Sequence, residues 1–112
     1  MCCFHSTASC EAMASTLPLV LLVLYGYVKV FCGTTSLGQT SIRHNEINPW
    51  WNEEFAYYSA QENDILRLEV YDSDTFFDDR LGVCERRLTL GTYDNYCTLE
   101  KGGSLHYIYT LS

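Results

Sequence analysis

Hydrophobic and polar residues alternate with a period of two in short stretches over most of the chain. In the segment ILRLEVYD, Leu66, Leu68 and Val70 alternate with polar residues, and the segment SLHYIYTL near the C-terminus shows the same alternation. Because successive side chains of a β-strand point to opposite faces, this period predicts strands with one buried and one exposed face.

The spacing of these stretches predicts the fold class. About seven to eight candidate strands follow one another from Tyr27 onward, separated by turns at intervals of roughly ten residues. No segment of this part of the chain has the 3.6-residue period of an amphipathic helix. The length of 112 residues suits one domain. We therefore predict an all-β, antiparallel β-sandwich of seven to eight strands in residues 27–112.

Residues 1–26 differ in pattern from the rest and are interpreted as a leader. The apolar run 17–24 is too short to cross a bilayer as a helix and suits the hydrophobic region of a signal peptide. We therefore predict that residues 13–26 are a signal peptide and that the protein is secreted. The alternative is that residues 19–24 form a strand of the sandwich.

Composition narrows the choice of partner. The formal net charge is -7, and no cluster of lysine and arginine is present. Binding to nucleic acid requires a basic surface that neutralises phosphates, so we expect no nucleic-acid partner. An anionic membrane would also repel this chain unless a cation lies between the two surfaces.

The histidines give little support for catalysis. His5, His44 and His106 are scattered, and no Ser/His/Asp or Cys/His grouping has a recognisable signature. We therefore expect a binding module and no enzyme.

The strongest chemical signal is an acidic connection that directly follows the alternating segment ILRLEVYD. Its carboxylates are the hard oxygen ligands that Ca²⁺ prefers, and an EF-hand is excluded because Phe77 and Val83 occupy positions where that motif needs glycine and glutamate. Two adjacent aromatic residues are typical of a loop that docks on a membrane. The alternative is a solvated acidic turn. The connection contains Asp72, Asp74, Asp78, Asp79, Phe76 and Phe77.

The cysteines suit an oxidising compartment. Cys84 and Cys97 have twelve residues between them and lie near the ends of two candidate strands, so that one disulfide could join them. Three alternatives stay open for Cys32: a bond to a leader cysteine, burial as a small hydrophobic residue, or loss of its partner.

Four segments together resemble the C2 domain: YVKV, NEINPWWNEEF, LRLEVYDSD and DDRLGVC. Within that family the likeness is to the C-terminal C2 domain of perforin and to short secreted perforin-like proteins. The resemblance implies a C2-type β-sandwich in which loops at one end hold calcium and then bind phospholipid. It also implies a disulfide between Cys84 and Cys97, and a structural role for Trp51.

The resemblance further assigns roles within the acidic connection. It implies that Asp72, Asp74, Asp78 and Asp79 are calcium ligands and that Phe76 and Phe77 contact the membrane.

One departure from the family pattern bears on function. A first strand and a first calcium loop precede YVKV in the family, and the loop's second aspartate corresponds to Tyr25 here. We therefore expect the first strand and the first calcium loop to be missing. Two interpretations follow. The chain is either a secreted, calcium-dependent phospholipid-binding module peripheral to membranes, or a calcium-independent interaction module or vestigial fragment.

Overall fold

The computed structural model describes residues 2–11, 25–44, 50–73, 78–101 and 103–112. Within these ranges the chain forms strands and turns, and no helix there is long and apolar enough to cross a membrane. The strands are β1 (Cys2–Glu11), β2 (Tyr25–Cys32), β3 (Thr35–Gln39), β4 (Arg43–His44), β5 (Trp50–Tyr57), β6 (Ile65–Ser73), β7 (Asp78–Arg87), β8 (Gly91–Thr98) and β9 (Ser104–Leu111).

The strands form two antiparallel sheets. One has the order β5-β1-β9-β8, and the other has the order β3-β2-β6-β7 with the short β4 also paired to β2. This arrangement confirms the predicted all-β, antiparallel sandwich. The predicted strands from Tyr27 onward correspond to β2–β9, and β1 is additional.

The core lies between the sheets and follows the alternation read from the sequence. On β6, Leu66, Leu68 and Val70 are buried, and the alternate residues of β9 from Leu105 to Leu111 are buried as well. Trp51 is fully buried and donates a hydrogen bond from its indole Nε1 to the carbonyl oxygen of Ser41 at 2.8 Å. The structural role expected for this residue therefore fits its position.

A strand precedes β2 at residues 2–11, whereas the alternative considered from the sequence was a strand at residues 19–24. Cys2–Glu11, expected to be part of a leader, is β1, and it pairs with both β5 and β9. Cys2, for example, lies opposite both Tyr57 and Leu111. The sequence gives no strand signal here, because small and polar residues in the middle of this segment hide the alternation, whereas ladder pairing uses backbone groups.

Residues 12–24 lie outside the described residues. They include the proposed strand 19–24, most of the proposed signal peptide and the region of the first calcium loop. The signal peptide and the absence of that loop therefore stay predictions.

Several connections lie at one end of the sandwich, which we call the loop end. The strand pairing defines this end, because Gly26 lies opposite Asp72 and Glu11 lies opposite Ser104. The strand ends that lie there are those that flank residues 12–24, 45–49, 74–77 and 99–103 in the sequence.

Candidate metal centre at the loop end

The ladder between β6 and β7 shifts by one residue just before the loop end. Val70 lies opposite Gly82, but the next pair is Tyr71 with Arg80. Leu81 is therefore the additional residue of a β-bulge. Bulges of this kind change which side chains of a strand share a face with the neighbouring strand.

Beyond the bulge, Asp72 and Asp79 lie directly opposite each other. Directly opposed residues share a face, and their Cβ atoms are typically about 4.5–5.5 Å apart. Asp72 follows Val70 by two residues, so this is the face that packs toward the other sheet. The structure thus brings two of the predicted ligands together at the rim of the sandwich.

Asp78 belongs to the opposite face. It lies across from Ser73, and its carboxylate accepts a hydrogen bond from the hydroxyl of Tyr27. The Tyr27 ring stacks on Tyr71, with ring centroids 5.4 Å apart. Burial, this hydrogen bond and the charge of Asp78 all raise the pKa of Tyr27, so that the hydroxyl stays a donor. Asp78 is therefore held away from the Asp72–Asp79 pair.

Asp79 forms an ion pair with a residue of the other sheet. The ammonium Nζ of Lys101 lies 2.7 Å from Oδ1 of Asp79. Both side chains are about half exposed, at 54% for Lys101 and 46% for Asp79. The positive charge of Lys101 therefore lies at the carboxylate pair, where the sequence predicted a metal.

The backbone positions Lys101 independently of its side chain. Its N–H donates to the carbonyl oxygen of Leu81 at 3.0 Å, which satisfies the additional residue of the bulge. Gly82 allows this close approach, because a Cβ atom there would lie 2.9 Å from Cδ2 of Leu99 and 3.0 Å from the backbone of Leu99 and Glu100.

A disulfide between Cys84 and Cys97, with Cα atoms 5.9 Å apart, links β7 to β8 nearby. This is the pair that the resemblance implied. Cys32 is buried in the core. The disulfide therefore attaches β8 to β7, and a backbone hydrogen bond and close packing attach the turn that carries Lys101.

The sequence did not predict that Tyr27 and Lys101 contact the acidic residues of the loop end. Tyr27 belongs to a strand segment, and Lys101 lies in the turn KGGS, so neither carries a local signal of contact with the acidic connection. Their contacts with Asp78 and Asp79 span 51 and 22 residues of sequence. Only the packing of the strands brings them together.

A second charged group lies farther along the same strands, on the outer face of the five-stranded sheet. We call it the outer-face network. Glu69 accepts hydrogen bonds from Arg67 and from the Tyr71 hydroxyl, each at 2.7 Å. Burial alone would raise the pKa of Glu69, but these hydrogen bonds from Tyr71 and Arg67 outweigh it and lower the pKa below its usual value. The network consists of Lys29, Arg67, Glu69, Tyr71 and Glu85.

The carboxylates among the described residues are the type of ligand that calcium prefers, but they are few in number. Asp72 and Asp79 offer hard carboxylate oxygens on one face, whereas Ca²⁺ takes six to eight oxygens. In the part of the chain that the structure describes, no group of three or more His, Cys, Asp or Glu side chains is arranged to hold a metal ion. Asp74, Phe76 and Phe77 lie outside the described residues, so their predicted roles stay predictions.

Comparison with known proteins agrees with this architecture. A structure titled "Structure of a C2 domain" matches with a TM-score of 0.89 and 53% identity, covering 100% of this chain and 98% of that one. Human extended synaptotagmin-1 is 37% identical over 87 residues, which cover 71% of this chain and 8% of that protein. Rat perforin-1 is 31% identical over 86 residues, which cover 74% of this chain and 15% of that protein.

These relatives do not single out perforin. Extended synaptotagmin-1 matches at a similar level, and the chain spans only a small part of either relative. A family model described as "C2 domain" matches residues 24–105, which is most of the chain. The chain therefore belongs to the C2 domain family.

Proposed function

We propose that this chain is a calcium-dependent phospholipid-binding module that docks on membranes through its loop end. The observation that carries the proposal is the direct opposition of Asp72 and Asp79 on one face of the β6–β7 ladder. Two carboxylates placed directly opposite each other destabilise a sheet. A cation bound between them would relieve that repulsion.

The acidic residues would act as a charge switch. Without a cation, the carboxylates of the loop end and the overall charge of -7 oppose an anionic bilayer. Asp72 and Asp79 would hold Ca²⁺, with Asp74 as a further ligand. Calcium, when bound, supplies positive charge and accepts oxygen ligands from lipid phosphates.

Phe76 and Phe77 would supply the apolar contact. They lie in the connection between Ser73 and Asp78, which are paired at the loop end. Aromatic side chains that enter the boundary between headgroups and acyl chains bury apolar surface, at about 25 cal/mol per Å².

We expect binding to calcium to be weak. Extracellular calcium modules work at about 10⁻⁴–10⁻³ M even with a full set of ligands. Here residues 12–24, which lie between β1 and β2 in the sequence, contain no aspartate or glutamate. The carboxylates that the family places in its first loop have no counterpart there.

Secretion is also part of the proposal, and the Cys84–Cys97 disulfide supports it. Such bonds persist in oxidising compartments and are rare in the cytosol. The proposed signal segment, residues 13–26, follows β1, so cleavage after Gly26 would remove β1 from between β5 and β9. N-terminal sequencing of the secreted chain tests which form leaves the cell.

A second candidate function is a calcium-independent interaction module. The observation that favours it is the ion pair between Lys101 and Asp79, which already places a positive charge at the carboxylate pair. Under this alternative, the loop end binds its partner with or without added calcium.

Vesicle co-sedimentation tests the proposal. Vesicles of phosphatidylcholine and phosphatidylserine should bind the chain at about 1 mM calcium and release it in chelator. Equal binding in chelator would support the calcium-independent alternative. No binding under either condition would contradict the proposal.

Two substitutions separate the two halves of the mechanism. Asp72→Asn should abolish calcium-dependent binding to vesicles, whereas Glu62→Gln, which removes one charge from an exposed turn at the opposite end, should not. Replacing both Phe76 and Phe77 by alanine should preserve calcium binding and abolish vesicle binding. Tyr58→Ala, at an exposed aromatic residue away from the loop end, is the matched control.

A further inference from the structure

We infer that Lys101 is a built-in competitor of calcium at the Asp72–Asp79 pair, and that it sets the calcium concentration at which the loop end becomes cation-bound. This inference rests on the proposed function. It concerns a residue of the β8–β9 turn, outside the acidic connection.

The ammonium group of Lys101 occupies a position at a predicted calcium ligand. Nζ of Lys101 lies 2.7 Å from Oδ1 of Asp79, the carboxylate that faces Asp72 across the ladder. A cation that takes Asp79 as a ligand must compete with this ammonium for the same oxygen. Simultaneous contact of both cations with that oxygen is unfavourable, because the two positive charges repel each other.

The backbone of Lys101 is held in place by hydrogen bonds. Exposed lysine side chains often lose their ion pairs to water and to conformational freedom. Here the backbone N–H of Lys101 is bonded to the bulge carbonyl of Leu81, and Leu99 N–H donates to the carbonyl of Gly103 at 2.9 Å within the same turn. The side chain therefore starts from a fixed point next to Asp79.

Lys101 also contacts the β-bulge. The bulge at Leu81 places Asp79 opposite Asp72, and Lys101 bonds to Leu81 through its backbone and to Asp79 through its side chain. The backbone N–H satisfies the bulge carbonyl, and the ammonium offsets part of the repulsion between the carboxylates. One residue thus stabilises the calcium-free form of the loop end.

Calcium titration of the full chain, followed by amide chemical shifts in NMR spectra, tests the inference. Lys101→Met should bind calcium about two- to fivefold more tightly than the wild type, which is the range expected for a half-exposed ion pair. The fold should persist, because the hydrogen bond to Leu81 comes from the backbone, and thermal unfolding of the variant checks this.

Two variants provide the controls. Lys29→Met removes the same unit charge from the outer face of the sheet, where Lys29 lies over the Tyr71 ring at 4.6 Å. It therefore measures the general effect of net charge, which salt screens. Lys101→Arg keeps a cation at Asp79 and should bind calcium like the wild type.

The outcomes separate this inference from the proposed function. If every variant binds calcium and Lys101→Met binds no more tightly than Lys29→Met, the inference is wrong and the proposed function stands. If only Lys101→Met binds calcium, the inference is supported and the native chain is calcium-independent. If no variant binds calcium, both are wrong.

Vesicle binding gives a second readout. The calcium concentration for half-maximal binding to vesicles of phosphatidylcholine and phosphatidylserine should fall in Lys101→Met by the same factor as the dissociation constant. A fall of the same size in Lys29→Met would contradict the inference.

Discussion

Strands β6 and β7 carry the Asp72–Asp79 pair and, together with Lys29 of β2, the outer-face network, and the charges of the two groups are arranged in opposite ways. In the outer-face network, Glu69 lies among donors, with Arg67 and Tyr71 both bonded to it. At the loop end, two carboxylates face each other, and Lys101 contacts one of them from the other sheet. The first arrangement brings opposite charges together, whereas the second places two like charges opposite each other.

The difference follows from the neighbours of each strand segment. In the outer-face network the positions across and along the strands carry charges of opposite sign, so each pair lowers the energy of the folded sheet. At the loop end the bulge places like charges in register. A close concentration of like charge on a folded surface costs stability, and such sites are typical of function.

The largest expected effect comes from removing β1 from the sandwich that carries the outer-face network and the Asp72–Asp79 pair. A chain that begins at Tyr25 lacks β1, and β5 and β9 lose their common neighbour. Because whole-domain stability is only about 5–15 kcal/mol, we expect this chain to lose its cooperative thermal transition in circular dichroism. A transition at the temperature of the full chain would show that the strand is dispensable.

The next effect concerns the link between the sheets. Replacing Cys84 and Cys97 by serine should lower the free energy of unfolding by about 3 kcal/mol, the value expected for a loop of this length. Urea unfolding measures the loss. The wild type under reducing conditions is the control and should show a similar loss. An unchanged midpoint would mean that the bond contributes nothing to stability.

Gly82→Ala tests the contact that holds the Lys101 turn. The new methyl group would meet Leu99 and the backbone of Glu100 at 2.9–3.0 Å, so the turn must move away from β7. Overpacking of this kind costs typically about 1–3 kcal/mol, which chemical denaturation can measure. If stability is unchanged while calcium affinity rises, the turn has moved without cost to the core.

Glu69→Gln tests the outer-face network. We expect a loss of about 1–2 kcal/mol at neutral pH, because the charge-assisted hydrogen bonds from Arg67 and Tyr71 become weaker. Glu85→Gln is the matched control. Its partner Arg67 is 3.2 Å away and its side chain is 55% exposed, so we expect a loss of no more than about 0.5 kcal/mol.

The same pair of variants gives a pH dependence. The folded pKa of Glu69 is lowered, so its stabilisation is fully present above the pKa of an unfolded glutamate, about 4.3, and is lost as the pH falls through the folded pKa. The wild type should therefore lose more stability than Glu69→Gln on acidification through this range. Parallel pH profiles of the two proteins would contradict this assignment.

The smallest effect should occur at the loop end itself. Asp79→Asn loses the ion pair with Lys101 but also relieves the repulsion from Asp72. In calcium-free buffer we expect a change within about 0.5 kcal/mol, measured by urea unfolding. A loss as large as that of Glu69→Gln would show that the two charged groups serve the same structural purpose.

Much of the fold was predictable because alternation is a local signal. The alternating segments of β6 and β9 predicted strands, and burial of their apolar residues confirms the face assignments. The run of acidic residues was an equally local signal, although the structure places Asp72 in β6 and Asp78 and Asp79 in β7. β1 was missed because its place between two distant strands depends on backbone pairing across the whole chain.

The sequence by itself determined that the sandwich forms and that the acidic connection belongs to one of its ends. Only the tertiary structure decided which carboxylates meet. If Leu81 were paired with Tyr71 in a regular ladder, Arg80 would lie opposite Asp72; because Leu81 bulges out of the ladder, Asp79 takes that position, and the carboxylate of Asp78 accepts a hydrogen bond from Tyr27. A bulge depends on the fit between strands and on the turn that satisfies its free carbonyl, and neither is encoded in the spacing of the aspartates.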